Sequence, residues 1–154
     1  MSVQQYPEDF EELDFSIEEE HWNEYELSDG SRIKARTLLK KIIRNPNTPE
    51  EMAFDIQPPI YVVYAPIANR GPRNNPPQEH EFNTLHSYEV RIRRPEEQWN
   101  RYRILRTGHL IRIRLMVTEI RRIADRFDAT GLPFYLVTSG PSIVISPPDN
   151  FPQP

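Results

Sequence analysis

The chain has 154 residues, enough for one ordinary domain or two very small ones. Hydrophobic residues make up 37% and charged residues 27%, the net charge is −4, and the absence of cysteine excludes disulfides and thiolate metal sites. No run approaches the roughly 18 apolar residues of a membrane span, and no basic-then-apolar leader opens the chain, so a cytoplasmic protein without membrane contact is expected.

Residues 1–15 are acidic, with Tyr6, Phe10, Leu13 and Phe15 interspersed. Acidic-aromatic stretches of this kind are mobile or fold onto a partner, so Phe10, Leu13 and Phe15 are taken as an interaction segment. No Lys or Arg occurs before Arg32, and all 19 basic residues follow Ser31. Ser16-Ile17-Glu18-Glu19 has the spacing of a capping box and predicts a short helix over 16–22.

A hairpin comes next. Tyr25 and Leu27 share one face of its first strand, and Glu24 and Glu26 the other. Asp29-Gly30 is the turn. Ile33, Ala35, Thr37 and Leu39 then alternate with Arg32, Lys34, Arg36 and Leu38, and the apolar phase slips before Ile42, which predicts a β-bulge. Residues 45–59 read as a polar connection with one helical turn at Thr48-Pro49-Glu50-Glu51. Ile60 to Tyr64 is a short strand. Residues 66–86, rich in Pro and Asn, read as a linker or functional arm. Ser87 to Arg93 returns to strand.

The pattern then repeats. Glu19-Glu20-His21-Trp22-Asn23-Glu24-Tyr25 is matched by Glu96-Glu97-Gln98-Trp99-Asn100-Arg101-Tyr102. Gly30 falls on Gly108, Ile33 on Ile111, Arg36 on Arg114, and Ile42 on Ile120. A second short helix is expected at 95–99, where Pro95 suits a first turn. Residues 113–127 read as strand by their upstream alternation, although Met116, Ile120, Ile123 and Phe127 also have helical spacing. Further on, 58–63 matches 132–137, and Ser142 to Ser146 closes the second unit. The expected fold is mainly β. It has two tandem related units, each a short helix plus about four strands, in a pseudo-two-fold small-barrel or sandwich-like arrangement. The units are 16–65 and 87–146, flanked by the acidic segment 1–15, the linker 66–86 and an extended tail 147–154.

The strongest candidate site is cationic. Arg101 and Arg103 alternate on one strand, Arg112 and Arg114 on its hairpin partner, and Arg91 and Arg93 just upstream. In the first unit Glu24 and Glu26 stand where Arg101 and Arg103 stand in the second. The second unit therefore lacks internal neutralisation, and its arginines suit an anionic partner. That partner is a protein segment or a second copy of the chain, with nucleic acid as the alternative. A solvated basic face is the plain structural reading. The pairs Trp22/Tyr25 and Trp99/Tyr102 read as fillers of two matching cores, with base stacking as the rival. His80 and His86 have no fixed geometry, so no metal is assigned. No nucleophile motif or Gly-rich phosphate loop is present, so no catalytic residue or cofactor is assigned either. The expected function is a non-catalytic interaction or assembly module, with a nucleic-acid-binding small β-barrel as the alternative.

Overall fold

The computed structural model describes residues 10–148, which are mainly antiparallel β, with two short 3-10 helices at Ile67–Asn69 and Glu79–Glu81. Readings made on 1–9 and 149–154 fall outside the described residues. In chain order the strands are β1 (Glu11–Leu13), β2 (Phe15–Glu19), β3 (Asn23–Leu27), β4 (Arg32–Arg36), β5 (Leu39–Asn45) and β6 (Thr48–Ile56). There follow β7 (Ile60–Tyr64), β8 (Ser87–Glu89), β9 (Ile92–Glu96), β10 (Asn100–Ile104), β11 (Leu110–Phe127) and β12 (Pro133–Ser146). They form three sheets: β1-β5-β6, β7-β4-β3-β9, and β12-β11-β10-β2 with β8 alongside β11. Among the described residues none of these sheets closes on itself, so the expected small barrel is not seen.

The two hairpins use one register. Tyr25 faces Ile33 across β3–β4, and Tyr102 faces Ile111 across β10–β11. Gly30 (φ +90°) and Gly108 (φ +77°) make the turns, in backbone conformations that disfavour a Cβ. β11 is strand throughout, so the helical spacing within 113–127 is not used. Its register shifts between Val117 and Glu119, and β5 shifts at the matching place, between Leu39 and Lys41. These are the bulges implied by the slip in apolar phase.

Three expectations are corrected. First, 48–56 is a nine-residue strand and not a connection with a helical turn, because β5 offers it a full antiparallel edge. Second, the partner of Ile60–Tyr64 is not 132–137. Ile33 pairs with Val63, and Ile111 with Ile145, so β7 stands beside β4 as 142–146 stands beside β11. The earlier part of β12 pairs with β11 as β6 pairs with β5, through Ile120–Val137 and Ile42–Phe54. Pro58-Pro59 separates β6 from β7, whereas β12 runs on unbroken.

Third, the expected helices at 16–22 and 95–99 do not form: 16–19 belongs to edge strand β2 and 95–96 to edge strand β9, while 20–22 and 97–99 are irregular. β2 pairs with β10, and β9 pairs with β3, so each half lends a strand to the hairpin of the other. The capping-box spacing at Ser16 is overridden by the free backbone edge of β10. Pro95, which has no N–H to give, sits on an edge strand; so do the other prolines within strands, Pro49, Pro133 and Pro141.

The exchange follows charge at Arg101–Glu19 and Glu26–Arg94, although Glu24 stands across from Glu96. Acidic β2, with Glu18 and Glu19, lies on basic β10, while β9, with Arg93 and Arg94, lies on acidic β3. Pairing each strand with its own hairpin would set acid on acid and base on base, which cross-strand pairs disfavour. The charge asymmetry of the sequence is therefore built into which strands meet.

The cores are shared in the same way. One gathers Leu13, Leu39 and Ile42 with Tyr102, Ile104, Ile111 and Ile113. The other gathers Tyr25, Leu27 and Ile33 with Val90, Leu115 and Ile120. Each contains the hairpin of one half and the bulged strand of the other. Burying each large aliphatic side chain contributes about 1.5–3 kcal/mol, and neither half retains that alone.

The matched motif supplies polar cross-ties between the halves. Tyr25 donates to Glu97 (2.8 Å) and Tyr102 to Glu20 (2.7 Å). Asn23 donates to the Leu115 carbonyl and Asn100 to the Thr37 carbonyl, both at 2.9 Å. The Asn23 oxygen accepts from the Gln98 amide (3.1 Å), and the Asn100 oxygen from the His21 amide (2.8 Å). The segment 66–86 is pinned too. Asn69 donates to the Asp29 carbonyl (2.8 Å), Gly71 to the Gly131 carbonyl (3.0 Å), and Arg126 to the Asn75 carbonyl (2.8 Å).

Candidate anionic-partner site

Strand parity decides which side chains reach the surface. On β3 the inward residues are Asn23, Tyr25 and Leu27, and on β10 they are Asn100, Tyr102 and Ile104. Trp22 and Trp99 flank these strands and are only half-buried. The expectation that they fill the cores is corrected: the tyrosines do, with no exposed surface at all. Burial, and then hydrogen bonding to Glu97 and Glu20, pushes the Tyr25 and Tyr102 hydroxyls well above the ordinary phenol range.

The tryptophans carry arginines instead. Arg36 lies 5.0 Å from the centroid of Trp22; Arg112 and Arg114 lie 5.4 and 4.7 Å from that of Trp99. Such stacking favours Arg over Lys, because a planar guanidinium covers the ring. It also shields the Nε atoms of Arg36, Arg112 and Arg114, which find no hydrogen-bond acceptor among the described residues.

The two halves differ in how their cations are neutralised. In the first, Glu24 reaches Arg32 (3.1 Å) and Lys34 (3.7 Å), and Glu20 reaches Arg36 (3.7 Å). In the second, Arg101 replaces Glu24 and stands directly across from Arg112. Glu18 of β2 partly relieves this, reaching Arg101 at 3.7 Å and Arg103 at 3.0 Å. Among the described residues no carboxylate lies within ion-pair distance of Arg112 or Arg114.

The six arginines singled out in the sequence therefore divide. Arg101, Arg103, Arg112 and Arg114 share the outer face of the β10–β11 hairpin. Arg91 and Arg93 are exposed at and just before β9, on the sheet of the other hairpin, and do not join them. Of the acidic-aromatic segment, Leu13 is buried and Phe15 packs edge-on against Tyr102 at 5.6 Å. Both serve the chain's own core. Phe10 is half-buried. Glu11 pairs with Arg44 (3.3 Å) and Arg106, so this segment lies against basic side chains in cis.

Sequence reasoning did not assign Glu20, Glu97, Asn23 or Asn100 a role, although the matched motif contains all of them. Among the described residues no group of three or more His, Asp or Glu side chains could hold a metal ion, and no helix is long and apolar enough to cross a membrane. Comparison with protein-family models, with curated proteins and with solved structures finds no match.

Proposed function

We propose that the chain is a non-catalytic interaction module that arose by internal duplication, and that its binding face is Arg112 and Arg114 with Trp99. What supports the duplication is the common register of the two hairpins, the paired bulges and the reciprocal Glu–Tyr and Asn–carbonyl ties. The observation that carries the binding face is the unneutralised Arg112–Arg114 pair, where the matching Lys34 and Arg36 each have a glutamate. Like charges held together at a surface lower their energy by taking an anion.

The proposed partner is an acidic protein segment, from another protein or from a second copy of the chain. β2 is the precedent within the molecule: an acidic strand seated beside the same hairpin, with Glu18 on Arg101 and Arg103. Nucleic acid is the second reading, favoured by the half-exposed indole of Trp99 among arginines, which suits base stacking. Fluorescence anisotropy with a labelled Glu-rich peptide and with a labelled single-stranded oligonucleotide, over a salt series, separates the two. Arg112→Gln/Arg114→Gln should weaken the true ligand at least about tenfold while the protein keeps its folded β circular-dichroism spectrum. Tight peptide binding with negligible oligonucleotide binding supports the first reading. A steep salt slope for the oligonucleotide that flattens in the variant supports the second. Binding of neither removes the site.

A further inference from the structure

We infer that the cleft between β7 and the beginning of β12 is a binding site for a small aromatic carboxylate, a site separate from the arginine and tryptophan face. Two cavities adjoin there, of about 630 and 130 Å³, meeting at Val63 and at Leu132-Pro133. Together they lie in the size range of small-ligand sites.

The inner cavity is apolar. Ile33, Val63, Pro133 and Val137 form its walls, with the rings of Tyr61 and Phe134. Its polar atoms are already engaged. Tyr61 and Ser139 share a hydrogen bond of 2.6 Å, and Tyr135 donates to Asp29 (2.5 Å). Asp128 accepts from the Thr130 hydroxyl (2.6 Å) and the Leu132 amide (3.0 Å). A polar guest would find few donors, whereas one benzene-sized ring matches the space: an apolar cavity of about 150 Å³ holds benzene.

The outer cavity is cationic. Arg32 and Arg70 line it. Arg32 lies 4.5 Å from the Tyr64 ring centroid and shares Glu24 with Lys34. Arg70 uses Nε and one terminal nitrogen on the Ala65 carbonyl, both at 3.3 Å, and has no carboxylate within ion-pair distance among the described residues. Its second terminal nitrogen can donate to an anion. The turn before Arg70 is fixed, since Asn69 bonds to the Asp29 carbonyl and to Ser31, and Arg122 bonds to the Asn69 carbonyl and to Asp29. The arginine is thus presented from a rigid base.

Orientation follows from charge. Asp128 lies on the inner wall. Burial alone would raise its pKa, but hydrogen bonds from Thr130, Leu132 and Gly131 outweigh this and hold it below the usual carboxylate range. It repels an anion there. The ring therefore points inward and the carboxylate outward, toward Arg70 and Arg32.

The test is a heteronuclear NMR titration of the full chain with 3-phenylpropionate, with 3-phenylpropylamine and 3-phenylpropanol as controls. Saturable binding with a dissociation constant of about 1 mM or tighter is expected, with shifts centred on the amides of Gly30, Val63 and Leu132. The amine should bind at least about tenfold more weakly. Arg70→Gln, at an exposed position that leaves the core intact, should weaken the carboxylate about tenfold and leave the alcohol unchanged. No saturation by about 10 mM, equal affinity for the amine, indifference to Arg70→Gln, or shifts centred on Trp99 would each overturn the assignment.

Discussion

Glu97 ties the two halves at one point, and its removal has a calculable cost. One carboxylate oxygen accepts from the Tyr25 hydroxyl (2.8 Å) and from the Val117 amide (2.9 Å). Tyr25 belongs to one half and Val117 to the other, and Tyr25 has no exposed surface. Glu97→Ala leaves a buried hydroxyl and a backbone N–H without this acceptor, at about 1–3 kcal/mol each. Glu97 is itself half-exposed, so water re-enters on its side, and a total of about 2–4 kcal/mol is expected. Glu97→Gln keeps an acceptor oxygen and should lose only about 1 kcal/mol. Tyr25→Phe alone should cost about 1 kcal/mol. In the double variant Tyr25→Phe/Glu97→Ala the hydroxyl is no longer stranded, so the loss should fall short of the sum by about 1–2 kcal/mol. Urea denaturation followed by circular dichroism measures all four. A loss below about 0.5 kcal/mol for Glu97→Ala, or strict additivity, would show that the tie carries no stability.

Four further outcomes follow from the same geometry. Cleavage within 71–77 should give fragments that are unfolded separately and regain β structure on mixing, less readily at high salt, as read by circular dichroism; either fragment folding alone would contradict the shared cores. Tyr25 and Tyr102 keep their protons when folded, whereas the unfolded phenol ionises near pH 10. Their stabilisation is therefore complete below about pH 10 and falls above it by roughly 1.4 kcal/mol per pH unit for each, so urea midpoints should drop as pH rises there; midpoints unchanged above about pH 10 would refute the burial of both hydroxyls. Trp99→Ala should cost about 1–2 kcal/mol, because the ring is half-buried against Arg112 and Arg114; a loss above about 3 kcal/mol in a thermal or urea melt would return it to a core role. Arg103→Glu faces Glu18 with a like charge and should loosen β2, measured as faster amide exchange over 15–19 with β9 unaffected.

Much of the local structure was legible in the residues. Alternation at Tyr25, Leu27, Ile33 and Ala35 sets the inward face because strand side chains point to opposite sides in turn. Asp29-Gly30 sets the turn, and the slipped apolar phase before Ile42 and Ile120 marks the two bulges. Even the outward setting of Trp22 was present as parity, since it falls in phase with Glu24 and Glu26; its recurrence as Trp99 in the second copy, beside opposite charges, suggested a core residue. What the sequence could not decide is which strand lies beside which. The Ser16 capping pattern is a local preference of order 1 kcal/mol, and it yields to a backbone edge supplied by β10, far along the chain. The same holds for 48–56, whose polar residues and Pro49 look like a connection until β5 provides the ladder. Glu97 and Asn100 were assigned no role because their partners, Tyr25 and the Thr37 carbonyl, belong to the other half. Periodicity is a property of a segment, while pairing is a property of the whole chain. The choice among pairings fell to charge and shared burial, acidic β2 on basic β10 and β9 on acidic β3, which only the assembled tertiary structure brings together.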